Sequence, residues 1–171
     1  MLAKSYSFGI LGLDAYCVTI ELFLSRGLPA TIIVGLPGSA IRESKERVRS
    51  AIKNSDFPYP RGRVTINLSP ADVKKEGPSF DLAMALGLLS AHGHLNPSAL
   101  KRYAILGELS LDGKVQPVKG LLPIATSSPM KNFAGLLCPT QNAQEAALAH
   151  HIDVFPIKSL SEAVYFLNNP L

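Results

Sequence analysis

Tryptophan is absent from the 171-residue sequence, aromatic residues make up only 7% of it, and cysteine occurs twice, as Cys17 and Cys138. Two distant cysteines with no Cys-x-x-Cys pair exclude a zinc knuckle, a dithiol redox centre and a disulfide framework, and they fit a reducing cytosol. Both are expected to be core thiols. Long apolar runs are missing too: the stretch 18–24 is broken by Glu21, and residues 1–14 carry Lys4 and no continuous apolar segment. Neither a membrane helix nor a signal peptide is expected, and the chain is placed in the cytoplasm, away from membranes. No internal repeat or low-complexity tract is present. Charged residues are sparse at 18%, and the formal net charge of +4 tolerates an anionic partner without requiring one.

What is there is a globular composition, 47% hydrophobic, in a length that suits one domain spanning residues 1–171. A chain of this size hides roughly 70% of its open-chain surface on folding, enough for a core without staples. Residues 3–11 and 16–22 are β-rich and flank Gly12-Leu13-Asp14, a first hairpin. Residues 30–34 read as a buried strand, after which Ser39 is expected to cap a helix running to about Lys53. A proline-rich break at 57–61 precedes a strand at 63–68 and a polar loop at 69–78. Residues 79–90 are apolar nearly all round, as in a helix packed inside the domain, with Ser79 as its expected N-cap. Strands at 104–109 and 114–118 flank Leu111-Asp112-Gly113, and Asp-Gly is a strong hairpin signal because both residues tolerate positive φ. Further on come a helix at 120–130 with Pro123 in its first turn, a strand at 135–138 and a helix at 141–149. A last strand at 152–156 precedes a helix capped by Ser159 or Ser161 and ending near Asn168. The fold class is therefore α+β, a mixed β-sheet covered by helices.

Few motifs carry chemistry. Gly35-Leu36-Pro37-Gly38-Ser39 joins a strand to a helix, yet a Walker A loop needs a second glycine five residues after the first, then Lys and Ser/Thr. Those positions hold Ala40, Ile41 and Arg42, so no nucleotide site is expected. The histidines His92 and His94, or His150 and His151, lack acidic companions at ligand spacing, and no metal site is assigned. On a 3.6-residue wheel Ile41, Val48, Ala51 and Ile52 form one face, while Arg42, Lys45, Arg49 and Lys53 fall in a neighbouring stripe less than a quarter-turn wide. Four cations on a line suit a phosphate backbone. Glu46 beside them and a Glu43–Arg47 pair at i,i+4 also suit an ordinary solvated face. Arg61, Arg63, Lys74 and Lys75 would extend a basic patch if the fold brought them near. No aromatic interleaving suggests base stacking.

Lys75-Glu76-Gly77-Pro78-Ser79 and the later Gly107-Glu108, hairpin and Pro117-Val118-Lys119-Gly120 together resemble the proteolytic domain of Lon-type proteases over about residues 65–166. There a Gly-Pro-Ser nucleophile is activated by a lysine four residues after the second glycine. Here that position holds Ile124, whose alkyl group accepts no proton, and Phe80 replaces the small residue that usually follows the serine. Lys119 or Lys131 remains as a substitute base. A match extending over nearly the whole chain is carried by Val34-Gly35-Leu36-Pro37, the run from Arg42 to Ala51, Asn67-Leu68-Ser69-Pro70-Ala71-Asp72, and the run from Asp81 to Leu89. These blocks resemble the start of the YifB/ComM family of bacterial magnesium-chelatase-like AAA+ ATPases.

That resemblance implies a Lon-like domain of the ribosomal protein S5 domain 2-like fold, followed in family members by a AAA+ motor, expected downstream. It also implies ATP and Mg as cofactors of that motor and none in this chain. The implied partners are the chain's own AAA+ domain, neighbouring protomers of a hexamer, and DNA undergoing branch migration in natural transformation. Three functions stay open: a catalytically silent accessory domain with a vestigial Ser79, an active Ser-Lys peptidase, and a DNA-binding module built on Arg42, Lys45, Arg49 and Lys53.

Overall fold

The computed structural model describes residues 1–169; Pro170 and Leu171, the end of the expected 1–171 domain, lie outside the described residues. Strands β1 (Leu2–Leu11) and β2 (Asp14–Ser25) form the long hairpin, with Leu11 opposite Asp14 across Gly12-Leu13. Gly12 sits at φ 65°, as a tight turn between two twisted strands requires. β2 also pairs antiparallel with β4 (Arg63–Ser69), and β3 (Ala30–Val34) runs parallel to β4 at the sheet edge. On the other side β1 continues in parallel to β5 (Tyr103–Ile105), β8 (Gly135–Pro139) and β9 (Val154–Ile157). The result is a seven-stranded mixed sheet in the order β3-β4-β2-β1-β5-β8-β9.

Alternation along these strands builds two cores. Val18, Ile20, Leu22, Val64, Ile66 and Leu68 point to one face, where α1 (Ser39–Asn54) and α2 (Asp81–Ala91) cover them. Every residue of α2 is buried, which is why its sequence is apolar all round rather than amphipathic. Its Gly87 lets the helix approach the sheet, since a Cβ there would run into Leu22. α3 (Pro97–Leu100) and α6 (Leu160–Asn168) complete this layer. Phe8, Ala104, Leu106, Leu136 and Cys138 point the other way, under α4 (Leu121–Ala125), α5 (Ala143–Ala147) and a 3-10 turn at Ser128–Asn132.

The mixed α+β architecture agrees with the pattern of the sequence; several local expectations do not. Ser39 does not cap α1: Gly38 is the N-cap residue, no side chain caps the helix, and the Gly38 N–H donates to the Lys75 carbonyl at 2.8 Å. Ser79 does not cap α2 either, because Phe80 holds that place with helical dihedrals. The expected strand 104–109 divides at Leu106-Gly107 into β5 and β6 (Glu108–Leu109). β6 leaves the sheet to pair with β7 (Val115–Gln116). Gly107 is held at the break by donating to Ser79 O and accepting from Leu82 N, each at 3.0 Å. The helix expected at 120–130 stops after Ala125, where the Thr126 hydroxyl donates back to Leu122 O at 2.9 Å. β3 is a half-exposed edge strand rather than a buried one. Ser159 does cap α6, its hydroxyl accepting from Glu162 N at 3.1 Å.

Cys138 is buried and Cys17 only half-buried. Burial pushes their thiols up, to about 12 with help from Glu145 for Cys138 and to about 11 for Cys17, so both stay protonated and weakly reactive near neutrality.

Gly35 ties β3 to β4 at a backbone position no other residue suits. It has φ 102°, and a Cβ would press on the Leu68 carbonyl, which is backbone and cannot swing away. Gly35→Ala is expected to lower unfolding stability by about 2–3 kcal/mol in urea titration. A loss below about 0.5 kcal/mol would show that the strand ends separate freely.

Candidate functional site

The loop between β4 and α2 is anchored by a lysine that the sequence presents as a surface charge. Lys75 is fully buried, and its ammonium donates to the carbonyls of Gly35 at 2.9 Å, Leu68 at 3.1 Å and Pro70. Its own N–H donates to Leu36 O at 3.0 Å. Burial pushes the Lys75 pKa down and the charge of Asp72 opposes this. Lys75 is thereby withdrawn from any basic patch, while Lys74 is exposed and pairs with Glu76 at 3.5 Å. The same bonds occupy the Gly35–Ser39 turn. With the Gly35 and Leu36 carbonyls and the Gly38 N–H all used internally, the turn does not fit the phosphates of a nucleotide.

Ser79 follows this loop and lies half-buried on the wall of a cleft of about 460 Å³, with Glu76, Pro78, Glu108, Pro117 and Lys119 around it. Among the described residues, Lys75 is the lysine whose ammonium makes hydrogen bonds, and none goes to Ser79. Lys119 is exposed on the rim of the cleft and Lys131 is exposed on the 3-10 turn. Ile124 is 2% exposed in the second core beside Phe8, Ala104, Leu106 and Leu121. Phe80 is buried in the first core, so its ring points inward.

Beneath the cleft lies a polar cluster that no motif announced. Asp81, the first residue of α2, is fully buried and accepts from Ser44 Oγ at 2.5 Å, Arg47 Nε at 2.7 Å, Arg47 Nη2 at 3.2 Å and Leu109 N at 3.1 Å. Burial pushes the Asp81 carboxyl up, and the Arg47, Ser44 and Leu109 donors pull it back toward the ionised form. The expected Glu43–Arg47 pair exists at 3.9 Å, but Arg47 turns its guanidinium mainly to Asp81. The available signal was a lone carboxylate at the head of an otherwise apolar helix. The cluster ties α1, α2 and β6 together and so fixes one wall of the serine cleft.

The cationic stripe of α1 lies elsewhere. Lys45, Arg49 and Lys53 line a groove of about 640 Å³ between α1, the start of β3 and the turn at residues 59–62. Arg61 joins them from that turn. Arg42 is exposed on α1 but is not in the lining, and Arg63 falls on the strand face opposite the α1 side. The fold also brings in an aromatic that linear spacing hid. Tyr59 lines the groove, with the Arg49 guanidinium 5.7 Å from its ring centre and its hydroxyl 3.1 Å from Thr31 Oγ1. Burial pushes the Tyr59 phenol up, against the Thr31 hydrogen bond and the Arg49 charge.

Among the described residues, no group of three His, Cys, Asp or Glu is placed to hold a metal ion. His92 and His94 stack edge to face at 5.0 Å, and His150 and His151 are exposed. No helix among the described residues is long and apolar enough to cross a membrane.

Comparison with known proteins gives these features a family. The chain is 42% identical over 167 residues to competence protein ComM of Haemophilus influenzae, covering 98% of this chain and 33% of that protein. It is 39% identical over 166 residues to YifB of Salmonella typhimurium, covering 97% of this chain and 33% of that protein. A more distant likeness, 28% over 137 residues, links 75% of the chain to 17% of Lon protease 1 of Bacillus subtilis. The chain thus spans about a third of the length of the two nearer curated relatives. Residues 20–142, well over half of the sequence, match the family model described as subunit ChlI of Mg-chelatase, and the chain belongs to that family.

Proposed function

We propose that this chain is a catalytically silent, Lon-like accessory domain, of the ribosomal protein S5 domain 2-like fold, in a magnesium-chelatase-like AAA+ ATPase that acts on DNA. The observation that carries this reading is the place of Ile124. Where the Lon-type resemblance puts the amine of a Ser-Lys dyad, the alkyl side chain of Ile124 is sealed into the core, and among the described residues no lysine ammonium hydrogen-bonds Ser79. A hydroxyl with no base to take its proton attacks no amide at a useful rate. ATP and Mg belong, in this reading, to a motor domain of the parent protein. The partners are that motor and neighbouring protomers in a hexameric ring, and the work on DNA is branch migration during transformation. The name of the competence relative supports the DNA-directed role.

Exposure to a serine-directed fluorophosphonate is expected to leave Ser79 unlabelled, as read by intact-mass spectrometry. A second reading, an active peptidase, draws on Lys119, which shares the cleft with Ser79. Labelling of the wild type that vanishes in both Ser79→Ala and Lys119→Ala would establish the peptidase and end the silent reading.

A further inference from the structure

The groove beside α1 takes no part in the serine cleft, and its chemistry suits a different kind of ligand. Lys45, Arg49 and Lys53 recur at every fourth residue of α1, so their Cα atoms climb the helix in steps of about 6 Å, and Arg61 faces them from the turn across the groove. Among the described residues none of these four forms an ion pair, and Glu46 is the one carboxylate in the lining. Unpaired like charges held close together repel one another, and a bound polyanion relieves that repulsion. Arg49 is pre-positioned by its stacking over Tyr59, whose hydroxyl is pinned by Thr31, which lowers the cost of ordering that cation on binding.

We propose that this groove binds the sugar-phosphate backbone of a single DNA strand. The cations are strung along a line instead of converging on a point, which matches a chain of phosphates better than one isolated anion. The groove holds about 640 Å³, room for a short stretch of one strand and not for a duplex. One half-buried aromatic ring offers little base contact, so binding is sequence-independent and governed by salt. The inference rests on the DNA-directed role proposed above for the choice of DNA as the polyanion. It is independent of the silent serine, whose test by fluorophosphonate leaves the groove untouched.

The test is fluorescence polarisation of the full chain with a fluorescein-labelled oligo-dT over a salt series. Four phosphate contacts give log K a slope against log salt of about −3, or about a 50-fold loss of affinity for a fourfold rise in salt. The triple variant Lys45→Glu, Arg49→Glu, Lys53→Glu is expected to bind at least tenfold more weakly and to flatten that slope to about −1. The variant Lys101→Glu, Lys131→Glu, Lys158→Glu makes the same change of net charge at exposed sites outside the groove and is expected to stay within about twofold of the wild type. Should the triple variant on α1 fail to fold by circular dichroism, Arg61→Glu alone, on the opposite wall, is expected to weaken binding at least threefold. No binding by the wild type, an equal loss in the charge-matched control, or a preference for duplex over single strand would each overturn the proposal.

Discussion

Asp81→Ala is expected to lower unfolding stability by about 3–5 kcal/mol, a fall in Tm of about 10 °C, because it removes one half of a buried ion pair. The carboxylate accepts four hydrogen bonds from two elements, α1 and β6, and its loss leaves Arg47 and the Leu109 N–H without their anion inside the fold. A stranded buried donor costs its desolvation with nothing to offset it. Arg47→Ala breaks the pair from the other side and carries a pH signature. With the guanidinium gone, the factors pulling the Asp81 carboxyl back toward ionisation are weakened, and its native-state pKa rises further above the unfolded value. A group with a raised native pKa binds protons more tightly when folded, so the deficit of Arg47→Ala relative to the wild type is expected to shrink as pH falls from about 7 to about 5. Substituting both partners, Asp81→Leu with Arg47→Met, is expected to cost less than the two single substitutions together. Urea titrations of the four proteins measure this; a deficit in Arg47→Ala that is flat across that pH range would mean that the carboxylate finds another partner or water.

Lys75→Met is expected to cost about 3–5 kcal/mol, although it keeps an unbranched side chain and most of the apolar stem. The ammonium is the common donor to the carbonyls of Gly35, Leu68 and Pro70, so one substitution strands three acceptors at the junction of β3, β4 and the loop before Ser79. The lesion is local, and hydrogen exchange separates it from a global one. Amides at residues 35–38 and 70–77 are expected to lose protection well beyond the rest of the sheet, since the Lys75 ammonium is the side-chain donor that joins Gly35, Leu68 and Pro70 there. The strands β1 and β2, paired along ten residues each, are expected to keep theirs relative to global stability. A Lys75→Met protein as stable as the wild type would show that water replaces the ammonium and that the loop needs no internal cation.

These two residues mark the limit of what the linear pattern discloses. Lys75 lies between exposed Lys74 and Glu76, and Asp81 is a charge at the head of an apolar helix; their full burial comes from partners distant in sequence, the Gly35 and Leu68 carbonyls for Lys75 and Ser44, Arg47 and Leu109 for Asp81. Elements governed by nearest-neighbour chemistry were legible. The Gly12-Leu13-Asp14 and Asp112-Gly113 turns, the extent of α1 and the capping of α6, narrowed by sequence to Ser159 or Ser161, each depend on residues within one turn of one another. The caps assigned to Ser39 and Ser79 failed because neighbouring loops compete for the same backbone: Gly38 answers to Lys75, and the Ser79 carbonyl answers to Gly107. The strand expected at 104–109 failed likewise, being divided between two sheets by contacts with α2.

By itself, the sequence determined the α+β class and the cationic stripe on α1, since each depends on residue type at fixed local spacing; the reading of Ile124 as standing in a dyad lysine's place came from the Lon-type resemblance instead. The tertiary structure alone decided that Lys45, Arg49 and Lys53 share a groove with Tyr59 and Arg61 while Arg42 stays outside its lining, and that Ser79 shares a cleft with Lys119. Those groupings bring together residues from different elements, set by which apolar faces the sheet buries, and burial is a property of the closed chain that no window along it contains.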